Sequence, residues 1–572
     1  MPQSEFSGNE TEKVIYEESP LPPDEAVEPG INHPGLSVTV ATAPEQSAAG
    51  QPKQQFGGGI IRAAMIISLG NILTRIFGLA RESVLAGIAG TAAVATAFSF
   101  ADNVLTIFFD LLVSGAISSA LIPVLSRYAA HTEPEKRKEF WHIVNTLMTL
   151  GLIFLLVVVG ILQIFTTPLA TFMTQGQPEI LGLTEGLIRI ILFGIIFLGV
   201  SSIMMATLQA LQRFAWTALS LSARNASVVI IALLFSQGGV WSMVIGVLVG
   251  TLMLVVLQAP GLKDMPFRPS LDWRHPAIRE ILRLYMPIFL GLMVTSTVLI
   301  IDRALAGTVN DHAVAAMRYA TTLQQFTLGL VGSAISIAIL PTLSRQAANV
   351  NLTEYRQTLM SGLKLLMVLI LPATIGLLAI ALPTISVIFE HGKFDETSRV
   401  FTFVALIGYL PGIPAAAADQ MLIFSFYARK NTLTPVLVGV VSNLTYLGAA
   451  LLMIGPLQFG MIGLVLANSL QQVVHMTIMF ILLRRVFGGL RGDGLISTIV
   501  KALLASLLLG VVAYLTAGLV NARFGQAGFV PNLLAVSVGV AGGGLSYLFA
   551  LRLLKVTEMT QIWGAVSRKI RG

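Results

Sequence analysis

The sequence contains no cysteine, which excludes disulfide frameworks, thiolate zinc sites, iron–sulfur clusters and cysteine nucleophiles. Charge is scarce as well: 11% of residues are Asp, Glu, Lys or Arg, against about 25% in an ordinary soluble domain. Apolar residues take their place, 55% of the chain, with a mean hydropathy of +0.80. They come in runs of about 20 residues, the length a helix needs to cross a bilayer, rather than in short core segments. The composition therefore predicts an all-α polytopic membrane protein. The net charge of +7 does not require a nucleic-acid partner, because basic cytoplasmic loops produce the same excess.

Fourteen apolar stretches are read as helical spans, at about 60–86, 92–122, 141–165, 183–209, 216–236, 240–260, 282–303, 313–342, 362–388, 398–424, 433–455, 460–483, 498–521 and 531–553. Residues 1–56 are rich in Pro, Glu, Gln and Gly and cannot bury enough surface to fold, so they read as a disordered cytoplasmic tail. The tail has no basic segment followed by an apolar core and a small-residue cleavage site, so it does not read as a secretory signal. Loops after even-numbered spans hold most of the basic residues, among them Arg127, Lys136, Arg137, Lys138, Lys263, Arg268, Arg274, Arg279, Arg429, Lys430, Arg484 and Arg485. Loops after odd-numbered spans hold few, Lys393, Arg399 and Arg523. The positive-inside rule then places both termini in the cytoplasm.

The chain repeats. SGAISSALIPVLSRYAA from Ser114 matches GSAISIAILPTLSRQAA from Gly332, pairing Pro123 with Pro341, Ser126 with Ser344 and Arg127 with Arg345. The same offset of 218 residues pairs Ala210 with Ala428 and Asn225 with Asn443. Six spans separate the copies, so the halves share one orientation and are related by an axis along the membrane normal. The expected organisation is a tail (1–56), an N-lobe of helices 1–6 (57–262), a parallel C-lobe of helices 7–12 (263–485), and two further helices with a basic cytoplasmic C-terminus (486–572).

Two parallel lobes around a cleft suit an alternating-access transporter. Charges that hydrocarbon does not tolerate should mark the cleft, since each costs at least about 2.5 to 3.5 kcal/mol at the helix centre. They are Arg75, Arg81, Glu82, Asp102, Asp110, Arg224, Asp302, Arg303, Arg318 and Asp419, concentrated in helices 1, 2, 7 and 8. Arg75, Arg81, Arg303 and Arg318 would give a cationic cavity, and a guanidinium binds phosphate with a planar bidentate fork, so pyrophosphate is a fitting ligand class. With Glu82, Asp102 and Asn103 they form the candidate substrate-binding set. Each has a bland alternative. Arg303 either snorkels at the end of helix 7 or neutralises Asp302; Arg81 and Glu82 form a structural pair; Arg75 and Arg81, six residues and roughly 240° apart, need not share a face. Arg224 reads as lying near the cytoplasmic end. Asp102 and Asp110, eight residues apart, either form a relay or balance the arginines. Asp302 and Asn443 carry oxygens suited to Na+, with the alternative that Asp302 pairs with Arg303 and Asn443 serves a helix contact. The histidines, such as His131, His142, His275 and His475, lie singly and form no metal or triad spacing, so catalysis is not expected.

Several segments resemble the MurJ/MviN family, the lipid II flippases of the MOP exporter superfamily. TRIFGLARESVLA at 74–86 resembles the helix 1 signature, GAISSALIPVLSRYAA the end of helix 2, VIFEHGKFD at 387–395 the loop between helices 9 and 10, and FYARKNTLTP at 426–435 the loop between helices 10 and 11. The resemblance spans about residues 58–555. It implies a flippase, not an enzyme, that carries undecaprenyl-pyrophosphate-linked peptidoglycan precursor from the inner to the outer leaflet of the bacterial cytoplasmic membrane, with cell-wall synthesis proteins as partners. It implies drive by membrane potential or an ion gradient and no cofactor; the chain has no GxxxxGK[ST] segment for ATP. It also implies that Arg75 and Arg81 are the family's helix 1 arginines. The chain departs from the family pattern in three places: Thr96 stands at an acidic position, Phe109 and Asp110 at an arginine pair, and Thr322 at a helix 8 arginine. The departures keep open a flippase of another polyprenyl-linked glycan and an inactive cell-wall scaffold. A MATE-like small-molecule exporter, which would want an acidic cavity, is the remaining alternative.

Overall fold

The computed structural model describes residues 58–112, 120–130, 133–175, 178–329, 352–429, 433–487 and 494–556, with single positions at 331, 342, 343, 346 and 431. The expected tail, the second copy of the repeated segment around Pro341, Ser344 and Arg345, and the basic C-terminus lie outside the described residues.

The described residues form eighteen α-helices and no strand. In chain order they are α1 (Gly58–Ala89), α2 (Ala93–Phe109), α3 (Ile122–Ala129), α4 (Pro134–Ile164), α5 (Thr166–Thr174), α6 (Pro178–Ala210), α7 (Phe214–Leu234), α8 (Val240–Gln258), α9 (Pro276–Val309), α10 (Ala313–Leu328), α11 (Leu352–Ala379), α12 (Ala381–Phe389), α13 (Glu396–Tyr409), α14 (Ile413–Ala428), α15 (Leu433–Ile454), α16 (Met461–Val486), α17 (Leu495–Phe524) and α18 (Phe529–Leu553). Among the described residues, eleven helical segments are long and apolar enough to cross a membrane. The stretches read from sequence as spans 1, 7 and 8 fall on α1, α9 and α10, the helices that carry Arg75, Arg81, Asp302, Arg303 and Arg318.

Proline sets several boundaries. Pro134, Pro178 and Pro276 open α4, α6 and α9, where the missing N–H would have no intrahelical partner. His275 caps α9, its Nδ1 accepting from the Ala277 N–H at 3.2 Å. Pro411 and Pro414 break the tenth span into α13 and α14, joined by a 3₁₀ turn at Leu410–Gly412.

Internal symmetry shows in the packing. In the first lobe α1 packs on α7, α2 on α6, α4 on α6, α6 on α8 and α7 on α8. In the second, α9 packs on α15, α10 on α13, α11 on α14, α14 on α16 and α15 on α16. Each first-lobe pair recurs six spans later, as the sequence repeat requires. The last two helices pack on each other and against α11 and α12 of the second lobe.

At one end of the bundle the lobes are tied together. Thr91 donates from Oγ1 to Ser398 Oγ at 2.9 Å and its hydroxyl also meets His312 Nδ1 at 2.8 Å. The Lys393 N–H reaches the Gly87 carbonyl at 2.8 Å, the Tyr319 hydroxyl the Gly90 carbonyl at 2.7 Å, Thr96 the Asp311 carbonyl at 2.9 Å, and Ser83 the Ile388 carbonyl at 2.5 Å. Gly90 and Gly392 take φ of +60° and +61° at the two turns that meet here, a conformation that costs glycine least. The family-like segment at 387–395 is thus one side of an inter-lobe latch.

Candidate functional site

Below the latch, helices of both lobes bring four charges together. Glu82 of α1 and Asp102 of α2 are 3% and 2% exposed, which in an apolar interior demands partners. Arg318 of α10 supplies them: its Nε donates to Glu82 Oε2 at 2.7 Å and its Nη2 to Glu82 Oε1 at 2.8 Å and to Asp102 Oδ2 at 2.7 Å. Arg81 adds a bond from Nη2 to Glu82 Oε1 at 2.7 Å and approaches Asp102 Oδ2 at 3.6 Å. Two carboxylates and two guanidiniums leave the cluster neutral, so it is a joint between the lobes as much as a ligand site. Phe98 packs under Arg318, its ring centre 5.2 Å from the guanidinium carbon.

One cavity adjoins this cluster, and a second shares Arg75 and Gln325 with it. The smaller, about 210 Å³, is lined by Thr74, Arg75, Gly78, Arg81, Glu82, Thr322 and Gln325 among others. The larger, about 320 Å³, is lined by Arg75 of α1, by Gln325 with Gly329 after it, and by Ala416, Asp419 and Gln420 of α14. Arg75 and Gln325 belong to both. Arg75 donates from Nη1 to the Gln325 carbonyl at 3.0 Å, and no acidic side chain among the described residues acts on its charge. Gly329 makes room for it, since a Cβ there would sit 1.8 Å from Arg75 Nη1. Arg75 and Arg81, despite their helical spacing, line one cavity.

Asn103 is half-buried beside Asp102 and lines neither cavity. Arg303 is buried rather than snorkelling, 3.7 Å from Asp302, and also lines neither. Asp302 accepts a hydrogen bond from the Tyr446 hydroxyl, and Asn443 accepts one from Gln471 at 2.5 Å. Asp302 and Asn443 therefore sit near one face of α15, each with a protein partner. No group of three His, Asp or Glu side chains that would hold a metal occurs among the described residues. Asp102 balances the arginines, whereas Asp110 is exposed at the end of α2.

Arg224 lies in the middle of α7, not near its end, with its guanidinium over the ring of Phe109 at 4.8 Å. Gly250 of α8 allows α7 to approach closely at this point, because a Cβ there would meet the Arg224 carbonyl at 2.5 Å. Sequence reasoning also passed over the pairing of His475 with Asp419, Nδ1 to Oδ1 at 2.6 Å. Their separation along the chain gives no local signal.

The arrangement is an inter-lobe cavity with two arginines, Arg75 and Arg81, on its wall. A family model described as lipid II flippase MurJ matches residues 85–535. The chain belongs to the MurJ family. A probable lipid II flippase MurJ of Vibrio cholerae is 26% identical over 438 residues, covering 74% of this chain and 82% of that protein. A lipid II flippase MurJ in an inward closed conformation has the same fold, with a TM-score of 0.71 at 22% identity over 86% of this chain and 100% of the other. An inward-facing MATE multidrug transporter of the MOP superfamily follows at a TM-score of 0.62 and 13% identity, over 74% of this chain and 98% of the other. Three positions at which the sequence resemblance implies other residues lie near these features. Thr322 lines the smaller cavity, Phe109 is the platform under Arg224, and Thr96 belongs to the latch. Arg318 stands one turn before Thr322, whose hydroxyl donates to the Arg318 carbonyl at 3.1 Å.

Proposed function

We propose that this MurJ-family protein is a lipid II flippase, moving undecaprenyl-pyrophosphate-linked peptidoglycan precursor from the inner to the outer leaflet by alternating access. The observation that carries the reading is the placement of Arg75: a guanidinium between the lobes, on the wall of both cavities, held by a carbonyl rather than by a carboxylate. A guanidinium without an acidic partner in a low-dielectric cleft is poised for an anion, and its fork matches a pyrophosphate. Arg81, on the same cavity wall, adds a second cation whose charge is partly spent on Glu82. The latched outer end fits a state that loads substrate from the inner leaflet.

The same reading places both termini in the cytoplasm and cell-wall synthesis proteins among the partners. A headgroup carrying negative charge outward across a potential negative inside gains about 2.3 kcal/mol per charge per 100 mV, so the membrane potential is a sufficient drive. A Na+ gradient acting at Asp302 and Asn443 is the alternative drive within this proposal.

The test is complementation of a bacterium whose own lipid II flippase can be switched off, with the wild type and Arg75→Ala at equal membrane abundance. Rescue by the wild type and failure of the variant is expected. Absence of rescue by a well-expressed wild type overturns lipid II as the substrate.

A further inference from the structure

Three carboxylates are buried among the described residues, Glu82, Asp102 and Asp419. Glu82 and Asp102 are held by arginines, whose charge is fixed at any physiological pH. Asp419 is different. Its partner is His475 of α16, at 2.6 Å, with the two side chains 9% and 11% exposed. An imidazole gains and loses its charge near neutrality, so this pair has two accessible charge states. With neutral imidazole and ionised carboxylate the pair carries one negative charge. With one proton more it is neutral overall, wherever the proton rests.

The position of the pair gives that change a consequence. Asp419 lines the larger cavity together with Arg75. The other groups around the pair are Gln325 of α10 and Gln420 of α14 on the cavity wall, Gly439 of α15 near His475 Nε2, and Tyr427 of α14, whose phenol feels the Asp419 charge. From α11, packed on α14, Tyr355 is committed to Ser425, and among the described residues no charge other than that of His475 acts on Asp419. Arg75 is thus the one described cation on the wall of that cavity. When the pair is negative it repels an anion entering the cavity that Asp419 and Arg75 both line. When the pair is neutral, Arg75 faces the anion alone.

We propose that Asp419 and His475 form a proton-binding site coupled to the anionic headgroup, so that pyrophosphate binding at Arg75 is accompanied by proton uptake on the pair. The inference rests on the reading of the cavity as the headgroup site. The sign follows from linkage: an anion that favours the protonated pair binds more tightly at low pH, and its affinity falls as pH rises, by at most about tenfold per unit for one proton. A proton site of this kind makes translocation sensitive to pH on the side to which the cavity is open, independently of the membrane potential.

The experiment measures binding of farnesyl-diphosphoryl-N-acetylglucosamine to the purified full-length protein in nanodiscs, from about pH 5.5 to 8.5, the range spanning histidine titration. This probe is a pyrophosphate diester whose own phosphates do not titrate in that range. The wild type is expected to lose affinity several-fold towards alkaline pH. Asp419→Asn should bind at least as tightly as the wild type at its acid limit and His475→Gln should bind weakly throughout, so the two substitutions shift affinity in opposite directions, and the Asp419→Asn, His475→Gln double variant should hold one affinity at every pH. A purely structural pair would lower the melting temperature of both variants without that split. A wild type that binds equally at every pH, or a slope that survives both substitutions, overturns the proton site and leaves the headgroup cavity standing. Absence of binding by the wild type at any pH overturns the headgroup reading itself, and the proton site with it.

Discussion

Arg318 of α10 and Glu82 of α1 are joined by two hydrogen bonds, 2.7 and 2.8 Å, across the seam between the lobes. The same guanidinium reaches Asp102 of α2, so one side chain of the second lobe bonds two buried carboxylates of the first, and Arg81 supplies the second positive charge. Removing it leaves two buried carboxylates with Arg81 as their one ion-pair partner among the described residues. Arg318→Met is expected to destabilise the protein by roughly 3 to 5 kcal/mol, the cost of breaking a buried ionic network by deleting one partner. Thermal melting in detergent checks this, and a melting temperature equal to the wild type would show that the network is not needed for stability.

Arg75 should behave in the opposite way. It is half-buried and its described hydrogen-bond partner is a carbonyl, so Arg75→Ala leaves no charge stranded. The melting temperature is expected to change little, while affinity for a pyrophosphate diester falls by at least about tenfold, the loss of a charge-assisted hydrogen bond worth about 1.5 to 3 kcal/mol. Measuring both on one preparation separates the role of Arg75 from that of Arg318.

Thr322, where the sequence resemblance implies an arginine, lines the smaller cavity with Arg75 and Arg81. Thr322→Arg should add a cation to that wall and tighten binding of the same diester. Weaker binding would mean that the space is already filled by the arrangement around Arg318.

How far the sequence reveals this site depends on where the information lies. Apolar runs and the repeat are local or periodic properties, so the all-helical character, the lobed plan and the charged first helices of each lobe were legible before the fold. Arg75 and Arg81 were legible through their motif, but their common wall was not, because α10 builds the cavity with α1 and only the fold supplies α10. Arg224 was misplaced towards a helix end because the hydropathy window could not show that Phe109 receives its guanidinium in mid-helix. The pair of Asp419 with His475 is a contact between two helices far apart in the chain, and neither residue announces the other.

The latch offers a direct handle on alternating access. Thr91 Oγ1 and Ser398 Oγ lie 2.9 Å apart, and the chain has no native cysteine to interfere. A Thr91→Cys, Ser398→Cys double variant should form a disulfide on oxidation, since side-chain atoms at this separation are within reach of the required geometry. Transport is expected to stop on oxidation and return on reduction. Full activity of the cross-linked form would show that the outer ends of the lobes need not part.

Acid should weaken the same latch. Asp395, in the loop before α13, accepts from the backbone N–H of Ser398 at 2.8 Å and from its hydroxyl at 2.7 Å, and these bonds hold its carboxyl below the usual carboxylate range. A group with a depressed folded-state pKa contributes stability above its unfolded value, and that contribution is lost as pH falls through the folded value. The melting temperature of the wild type should therefore drop below about pH 4, and Asp395→Asn should lose part of that acid sensitivity. An identical acid limb in the variant would remove Asp395 from the account.

The most direct test of the whole account is translocation of fluorescent lipid II in proteoliposomes, comparing the wild type, Arg75→Ala and empty vesicles. The account predicts transport by the wild type and a fall to the level of empty vesicles for Arg75→Ala at equal reconstitution. Equal translocation by the variant, or none by the wild type, would contradict it.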